Sequence, residues 1–486
     1  MEKLVPLYIL LLAAMLAVPT QSIESKGFST WSVTNQELSF PQLAPGPNSG
    51  EWLGSGSSSG AGNSLYFVKV TYDGAGTITQ AWNKSISCSA GKTCTGMRLF
   101  PLPKVDKDYV YTGWSVSGEN KVNIAKLSNT DGAVQKVISI PQANLDRFGV
   151  CFGWSNFLLF VFDTTGKVYL YTIGGDLVIS TQYTAFDSID ISCHPLFGTD
   201  TQFISSMTSN GTVTVAKLTN NSTKAAEYTL AGIDNNYSMV IEGSGTRFGL
   251  RYYKKETGTS NATNFGFAVM DPDTFEILTA QDFVQTVDSP IYNATFSGDN
   301  KYFAFSFGNR INQSSRTLII DLSDNGIEMG FQAKFGTANA SMAPAAIVFT
   351  PGGSTVLNFI GSFGVGNSST QINSLSGAFQ VVDLESCGGG FEEYKPTLTT
   401  NKDLGLTKVT SGSTSFNPAS SVSVTTTDES TDIFNGTSAS FTDSKSQVAT
   451  TQYCPSTTTP NSNDSAVSLT LEFCLIFSTL LFAWNQ

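Results

Sequence analysis

One histidine, His194, stands in a chain of 486 residues. A Ser-His-Asp triad would have to use it, and a metal site built from several imidazoles is excluded. Its neighbours Cys193 and Pro195 suit a structural place better. Carboxylates are the other source of chemistry. Asp271, Asp273 and Glu276 share one short segment, and Asp321 and Asp324 share another. Such groups can bind Ca2+ or serve as the acid and base of glycoside hydrolysis. Both clusters, however, fall at the same strand-to-turn place of a repeat described below. Asp and Asn cap turns for local reasons, so turns are the expectation and no catalytic residue, metal ligand or cofactor is assigned. The segment AGKTC (90–94) lacks the upstream glycine spacing of a phosphate loop. The glycine-rich stretch 54–62 has no pyrophosphate fingerprint and is expected to be a flexible surface loop.

The seven cysteines are Cys88, Cys94, Cys151, Cys193, Cys387, Cys454 and Cys474. In an oxidising compartment the first six form up to three disulfides, expected in sequential pairs. Cys88 with Cys94 would close a small loop. Cys151 and Cys193 fall at similar places in successive repeats and would staple two of them. Cys387 and Cys454 would tie the C-terminal region back to the last repeat.

Several features argue for export. MEKLVPLYILLLAAMLAVPTQS has the charged start, apolar run and small residues of a secretory signal, with cleavage expected after Ser22. N-glycosylation sequons begin at Asn83, Asn210, Asn220, Asn221, Asn236, Asn261, Asn293, Asn312, Asn339, Asn367 and Asn435. Another begins at Asn463, where it competes with a different use. The chain ends DSAVSLTLEFCLIFSTLLFAWNQ (464–486), and its strongest apolar block, Phe473 to Trp484, is short for a membrane span. No Lys or Arg follows it. Small residues, a spacer and a terminal apolar tail are the layout of a GPI-attachment signal, with Asn463 as the expected attachment residue and Ser462 or Asn461 as near alternatives. Removal of that tail would take Cys474 with it.

The elements that must position these residues are strands. Aromatics reach 12% and glycine is abundant, a mixture that fills pleated faces and supplies turns. A strand-turn-strand pattern recurs about every 50 residues, with Val70, Leu127, Ile173, Leu218, Met270, Leu322 and Leu384 at equivalent places. Between these copies lies a second strand pair, as in NATFSGDNKYFAFSFG. Four strands per repeat is the content of one propeller blade. The expectation is an all-β, seven-bladed β-propeller over 27–390, with GFSTWSVTNQELSF joining the last blade to close the ring. A pair of β-sandwiches is the alternative. The Ser/Thr-rich segment 391–463 is too polar to fold alone and is expected to be a disordered stalk, open to O-glycosylation. Domains are thus a signal at 1–22, the propeller, the stalk, and a removed tail at 464–486.

Only 14% of residues are charged, with a net charge of −12, which disfavours a nucleic-acid partner. The chain is expected on the outer leaflet of the plasma membrane, held by a GPI lipid. There its propeller would bind an extracellular protein or glycan, with Trp52, Trp82, Trp114 and Trp154 as candidates for stacking or for blade packing. Two other functions fit the same residues: a self-assembling structural glycoprotein of a cell coat or filament, and a secreted hydrolase using carboxylates.

Overall fold

Asn156–Asp163 reads NFLLFVFD and forms a strand. Side chains of a strand alternate between its two faces, so a fully apolar strand needs both faces covered. Phe157, Leu159 and Val161 pack with Phe100, Tyr111 and Ile124 of the preceding sheet. Leu158 and Phe162 pack with Ile204, Ala216 and Leu218 of the following one. Other core clusters join other neighbouring sheets in the same way. The core is a set of seams between sheets, and fully burying one such side chain stabilises by about 1.5–3 kcal/mol.

The computed structural model describes most residues from 24 to 453. Residues 1–23, 382–396 and 454–486 lie outside it, with short connections such as 255–262 and 366–372. The signal segment, Cys387, Cys454, Asn463 and the C-terminal tail therefore fall outside the described residues. Strands form seven antiparallel sheets and no helix occurs among the described residues. Blades 1 to 6 span 37–87, 94–141, 145–187, 190–231, 237–285 and 291–335, and blade 7 combines 340–381 with the N-terminal strand.

The inner strands of blades 2 to 7 touch in order, Cys94–Gly96 of blade 2 touches Glu51–Ser59 and Ser64–Tyr72 of blade 1, and Glu37–Pro45 of blade 1 touches Ala340–Phe349 of blade 7. The ring is therefore closed, and the chain is a β-propeller. Closure uses the first strand: Glu24–Ser32 pairs antiparallel with Asn373–Val381, with Phe28 opposite Gly377. The repeat frame shows in the register as well. Pairing of third and fourth strands slips at Lys69/Val70, Thr172/Ile173, Lys217/Leu218 and Val269/Met270. A bulge there bends the outer strand and adds twist. Val70, Ile173, Leu218, Val269 and Met270 of these pairs are all nearly fully buried.

Two regions differ from the sequence reading. The glycine-rich stretch expected as a flexible loop is largely the strand Glu51–Ser59, second in blade 1, with Gly54 opposite Val68 and Gly56 opposite Tyr66. Leu53 is fully buried and Ser55 nearly so.

The Ser/Thr-rich segment does not stand away from the propeller over its described residues. Thr397–Thr399 pairs with Ile277–Gln285 of blade 5, and Gly405–Lys408 with Thr223–Ala231 of blade 4. Pro418 bridges Tyr183 of blade 3. Thr427–Asp428 pairs with Val134–Pro141 of blade 2, and Phe434–Asn435 with Ile78–Ser87 of blade 1. Ser440–Asp443 then pairs with Glu24–Ser32 of blade 7, and Val448–Tyr453 with Ile327–Phe335 of blade 6. The segment is a belt that visits every blade once, in reverse order. A blade's outer strand carries a row of unpaired backbone groups, and backbone pairing asks little of side-chain hydrophobicity. That is why composition pointed to a stalk. Phe416 supplies an anchor: it is fully buried, and its ring lies edge-on to Phe186 at 5.1 Å.

Candidate interaction face

Consecutive antiparallel strands place alternate connections at opposite ends of a sheet. One propeller face thus carries the turns between first and second strands and between third and fourth strands. On this turn face, blades 2, 3 and 4 are stitched together. Lys104, in the first turn of blade 2, donates its backbone N–H to Trp154 O in the matching turn of blade 3 at 3.0 Å. Its ammonium meets Asp200, in the matching turn of blade 4, at 2.6 Å. Ser155 Oγ donates to the other Asp200 oxygen at 2.6 Å. Tyr111 donates to Gly175 O at 3.0 Å and Lys136 to Asp176 O at 3.1 Å, which fastens the outer turn of blade 3 to blade 2. Burial pushes the Tyr111 hydroxyl far above its ordinary pKa, helped by Asp106 and Asp176, so it stays a donor.

Two apolar side chains stand exposed in these turns, beside the exposed charges of Lys104 and Asp176. Val105 is 51% exposed and Val178 59% exposed, and Val105 lies over Gly175 in the turn that also carries Val178. Trp154 is half-buried beside them in the chain of turns. Beneath the Trp154–Ser155 turn, both amide atoms of Gln202 and Oδ1 of Asn156 are buried and find no hydrogen-bond partner among the described residues. Leaving such groups unpaired costs about 1–3 kcal/mol each. Gly153 makes the close approach possible, because a Cβ there would collide with the Gln202 amide and the Asn156 carbonyl.

The residues singled out in the sequence are distributed as follows. His194 has Nδ1 2.9 Å from Pro195 O and its ring edge-on to Phe152 at 6.0 Å. Asp271 caps its own turn, accepting from the backbone of Thr274 at 2.8 Å and Asp273 at 2.9 Å. These bonds hold its carboxyl below the usual carboxylate range. Asp273 reaches across to Lys217 at 2.6 Å. Asp321 is a strand residue, and Asp324 lies outside the described residues. Trp52, Trp82 and Trp114 are buried, the last two in the seam between blades 1 and 2. Trp154 alone of the four reaches the turn face.

The structure joins Cys88 to Cys94 and Cys151 to Cys193, with Cα atoms 6.0 and 5.7 Å apart. The second bridge links the first strands of blades 3 and 4, which are neighbours in the ring. Asn210 and Asn236 are exposed in turns, and Asn83 is half-buried within the fourth strand of blade 1. Asn293 lies in the first strand of blade 6 and Asn435 in the belt. Asn220, Asn221, Asn261, Asn312, Asn339 and Asn367 lie outside the described residues. Sequence reasoning missed the Lys104–Asp200–Ser155 set, because its members are far apart in the chain and belong to no motif. Only the shared turn position in three successive repeats could have pointed to it.

No family model and no curated protein matches the chain. Among solved structures it is similar to the WD40 domain of SCAP from fission yeast, at 12% identity and a TM-score of 0.38, over 72% of this chain and 98% of that one. It is similar to the Dos1 propeller at 12% identity and a TM-score of 0.39, over 73% of this chain and 95% of that one. An oligogalacturonate lyase in complex with manganese matches at 10% identity and a TM-score of 0.40, over 73% of this chain and 98% of that one. These similarities are to whole chains of low identity; the propeller assignment rests on the seven paired sheets and the closed ring.

Proposed function

We propose that this chain is an exported, N-glycosylated protein held at the cell surface by a GPI lipid, and that its propeller binds an extracellular protein or glycan through the turn face of blades 2 to 4. One observation carries the reading: Val105 and Val178 stay more than half exposed on a surface whose neighbouring turns are fixed by cross-blade bonds. Exposed apolar side chains on a rigid frame suit association. The belt supports the same choice of face. It pairs along part of the outer edge of every blade, which counts against assembly by strand addition there.

The test is a screen of the secreted propeller, residues 23–453, against a glycan panel and against intact cells. A double substitution Val105→Glu with Val178→Glu is expected to abolish the binding found while leaving secretion unchanged. Binding that survives it excludes this face. Release of the full chain from cells by a phosphatidylinositol-specific phospholipase tests the anchor separately.

A further inference from the structure

We propose that one repeat position is a cross-blade clasp: a lysine just before the recurring buried residue of the third strand holds the outer turn of the next blade. In blade 2 that clasp, completed by Lys136, positions the blade 3 turn that presents Val178. The part concerning Val178 rests on the binding face proposed above; the clasp itself does not. The lysines are Lys69, Lys126 and Lys217, ahead of Val70, Leu127 and Leu218. Neighbouring side chains of a strand face opposite ways. Leu127 and Leu218 pack into the seam with the preceding blade, so the lysine beside each faces the following one. The second-strand partners show the same side. Lys69 lies opposite Leu53, Lys126 opposite Tyr111 and Lys217 opposite Phe203. Those three pack in the seams with blades 2, 3 and 5.

The targets are equivalent as well. Lys69 Nζ donates to Asn129 O, in the turn between third and fourth strands of blade 2, at 2.9 Å. Lys126 approaches the Asp176 carboxylate in the matching turn of blade 3 at 3.8 Å. Lys217 reaches the matching turn of blade 5, donating to Pro272 O at 3.0 Å and pairing with Asp273 at 2.6 Å. Two of the clasps gain a second donor from the residue paired with the lysine on the fourth strand. Trp82, paired with Lys69, donates Nε1 to the same Asn129 O at 2.9 Å. Lys136, paired with Lys126, donates to Asp176 O at 3.1 Å. The three lysine side chains are 6%, 14% and 16% exposed, and polar contacts are stronger where water is largely excluded.

The clasped turns need holding. Each contains a residue with left-handed backbone: Gly132 with φ 70°, Leu177 with 60° and Phe275 with 61°. For Leu177 and Phe275 this conformation is strained, and such strain persists only where the surroundings fix it. Both side chains are buried in the seam that the clasping lysine borders. The blade 2 turn has glycine there, and Trp82 of blade 1 fills the place a Cβ would take. Blades 3 and 5 carry Thr172 and Val269 at the lysine position, neither of which offers an ammonium. The device is thus selective, and of the turns it holds, that of blade 3 carries Val178.

The test uses the full chain and compares the double variant Lys126→Met with Lys136→Met against Lys217→Met, by hydrogen exchange and by binding to intact cells. In the blade 3 turn the Gly174 amide donates to Val178 O and the Leu177 amide to Gly174 O. Exchange at both is expected to rise about tenfold in the double variant, the equivalent of losing one hydrogen bond to a charged group. Exchange over 157–163 should stay as it was, and cell binding should fall. Lys217→Met should speed exchange at the Phe275 amide, which donates to Asp271 O, and leave the blade 3 turn and cell binding unchanged. Lys126→Arg with Lys136→Arg should keep both the turn and the binding. Unchanged exchange in both methionine variants overturns the clasp. Raised exchange in the blade 3 turn with undiminished binding overturns the positioning role, where Val105→Glu with Val178→Glu abolishes that binding. If the glutamates leave binding intact, the face reading fails and exchange alone decides the clasp.

Discussion

Two strands of one sheet show how differently this molecule holds its chain. Val213–Thr219, third in blade 4, buries Val213, Val215, Ala216 and Leu218 almost completely between the seams on its two faces. Gly405–Lys408, at the outer edge of the same sheet, pairs through its backbone from Tyr228–Lys408 to Ala231–Gly405, yet Thr407 and Lys408 remain exposed. The inner strand is fixed by apolar burial on two sides. The belt strand is fixed by edge pairing, at about 0.5–1.5 kcal/mol net per hydrogen bond, with Leu404 and Leu406 packed against the seam beneath. Blades should therefore respond to cavities and cross-links as cooperative units, and the belt should detach locally.

The largest contrast comes from Phe203→Ala. Phe203 is fully buried and stacks on Phe248 at 4.2 Å. Truncation is expected to cost about 3–5 kcal/mol, read as a lower urea midpoint for the whole propeller. Replacing both Cys151 and Cys193 by Ala removes the cross-link between blades 3 and 4 and should cost about 2–4 kcal/mol, again throughout the ring. Phe416→Ala touches the belt's own anchor. Because the belt can lift rather than keep a cavity, the cost should not exceed about 3 kcal/mol. Hydrogen exchange should show protection lost over 405–409 and 416–431 while 157–173 keeps its own. Loss in both places would make belt and blades one cooperative unit.

The smallest effect is electrostatic. Glu429 in the belt meets Lys121 of blade 2 at 2.8 Å. Hydrogen bonds from Lys121 and then Ser139 hold its carboxyl below the ordinary value of 4.5. A depressed folded pKa stabilises fully above the unfolded value, and the gain disappears as pH falls through the folded one. The loss therefore begins near the ordinary Glu value and continues to lower pH. For a partly exposed pair it is worth about 0–1 kcal/mol after solvent screening. Glu429→Gln should flatten this step in belt exchange rates and leave the blades' urea midpoint unchanged.

Legibility in the sequence follows the same division. Strands such as NFLLFVFD, whose side chains face two seams, announced the propeller, and the recurrence of Val70, Leu127, Ile173, Leu218 and Met270 set its frame. GFSTWSVTN, at the start of the propeller, was readable as the closing strand because a ring needs one. GSGSSSG was not readable as a strand, since it carries no apolar alternation of its own and is held by backbone pairing with Leu65 to Val68. The belt was hidden for a related reason: backbone pairing leaves no periodic side-chain pattern, and Phe416 alone does not make one. Lys104, Asp200 and Ser155 meet only through the ring, so nothing local marked them.

The direction of the belt has a consequence for how the protein is made. Glu24–Ser32 lies between Asn373–Val381 and Ser440–Asp443 in the finished sheet, each made some 340 residues or more after it. Neither partner exists until most of the chain has left the ribosome, and such long-range pairing is intrinsically slow. The belt in turn reaches its sixth and seventh sheets only after passing all the others, so its docking reports that every blade is in place. Protease resistance of residues 24–32 should appear after chain release and lag behind that of blades 2 to 5, which makes the last strands laid down the seal on the first.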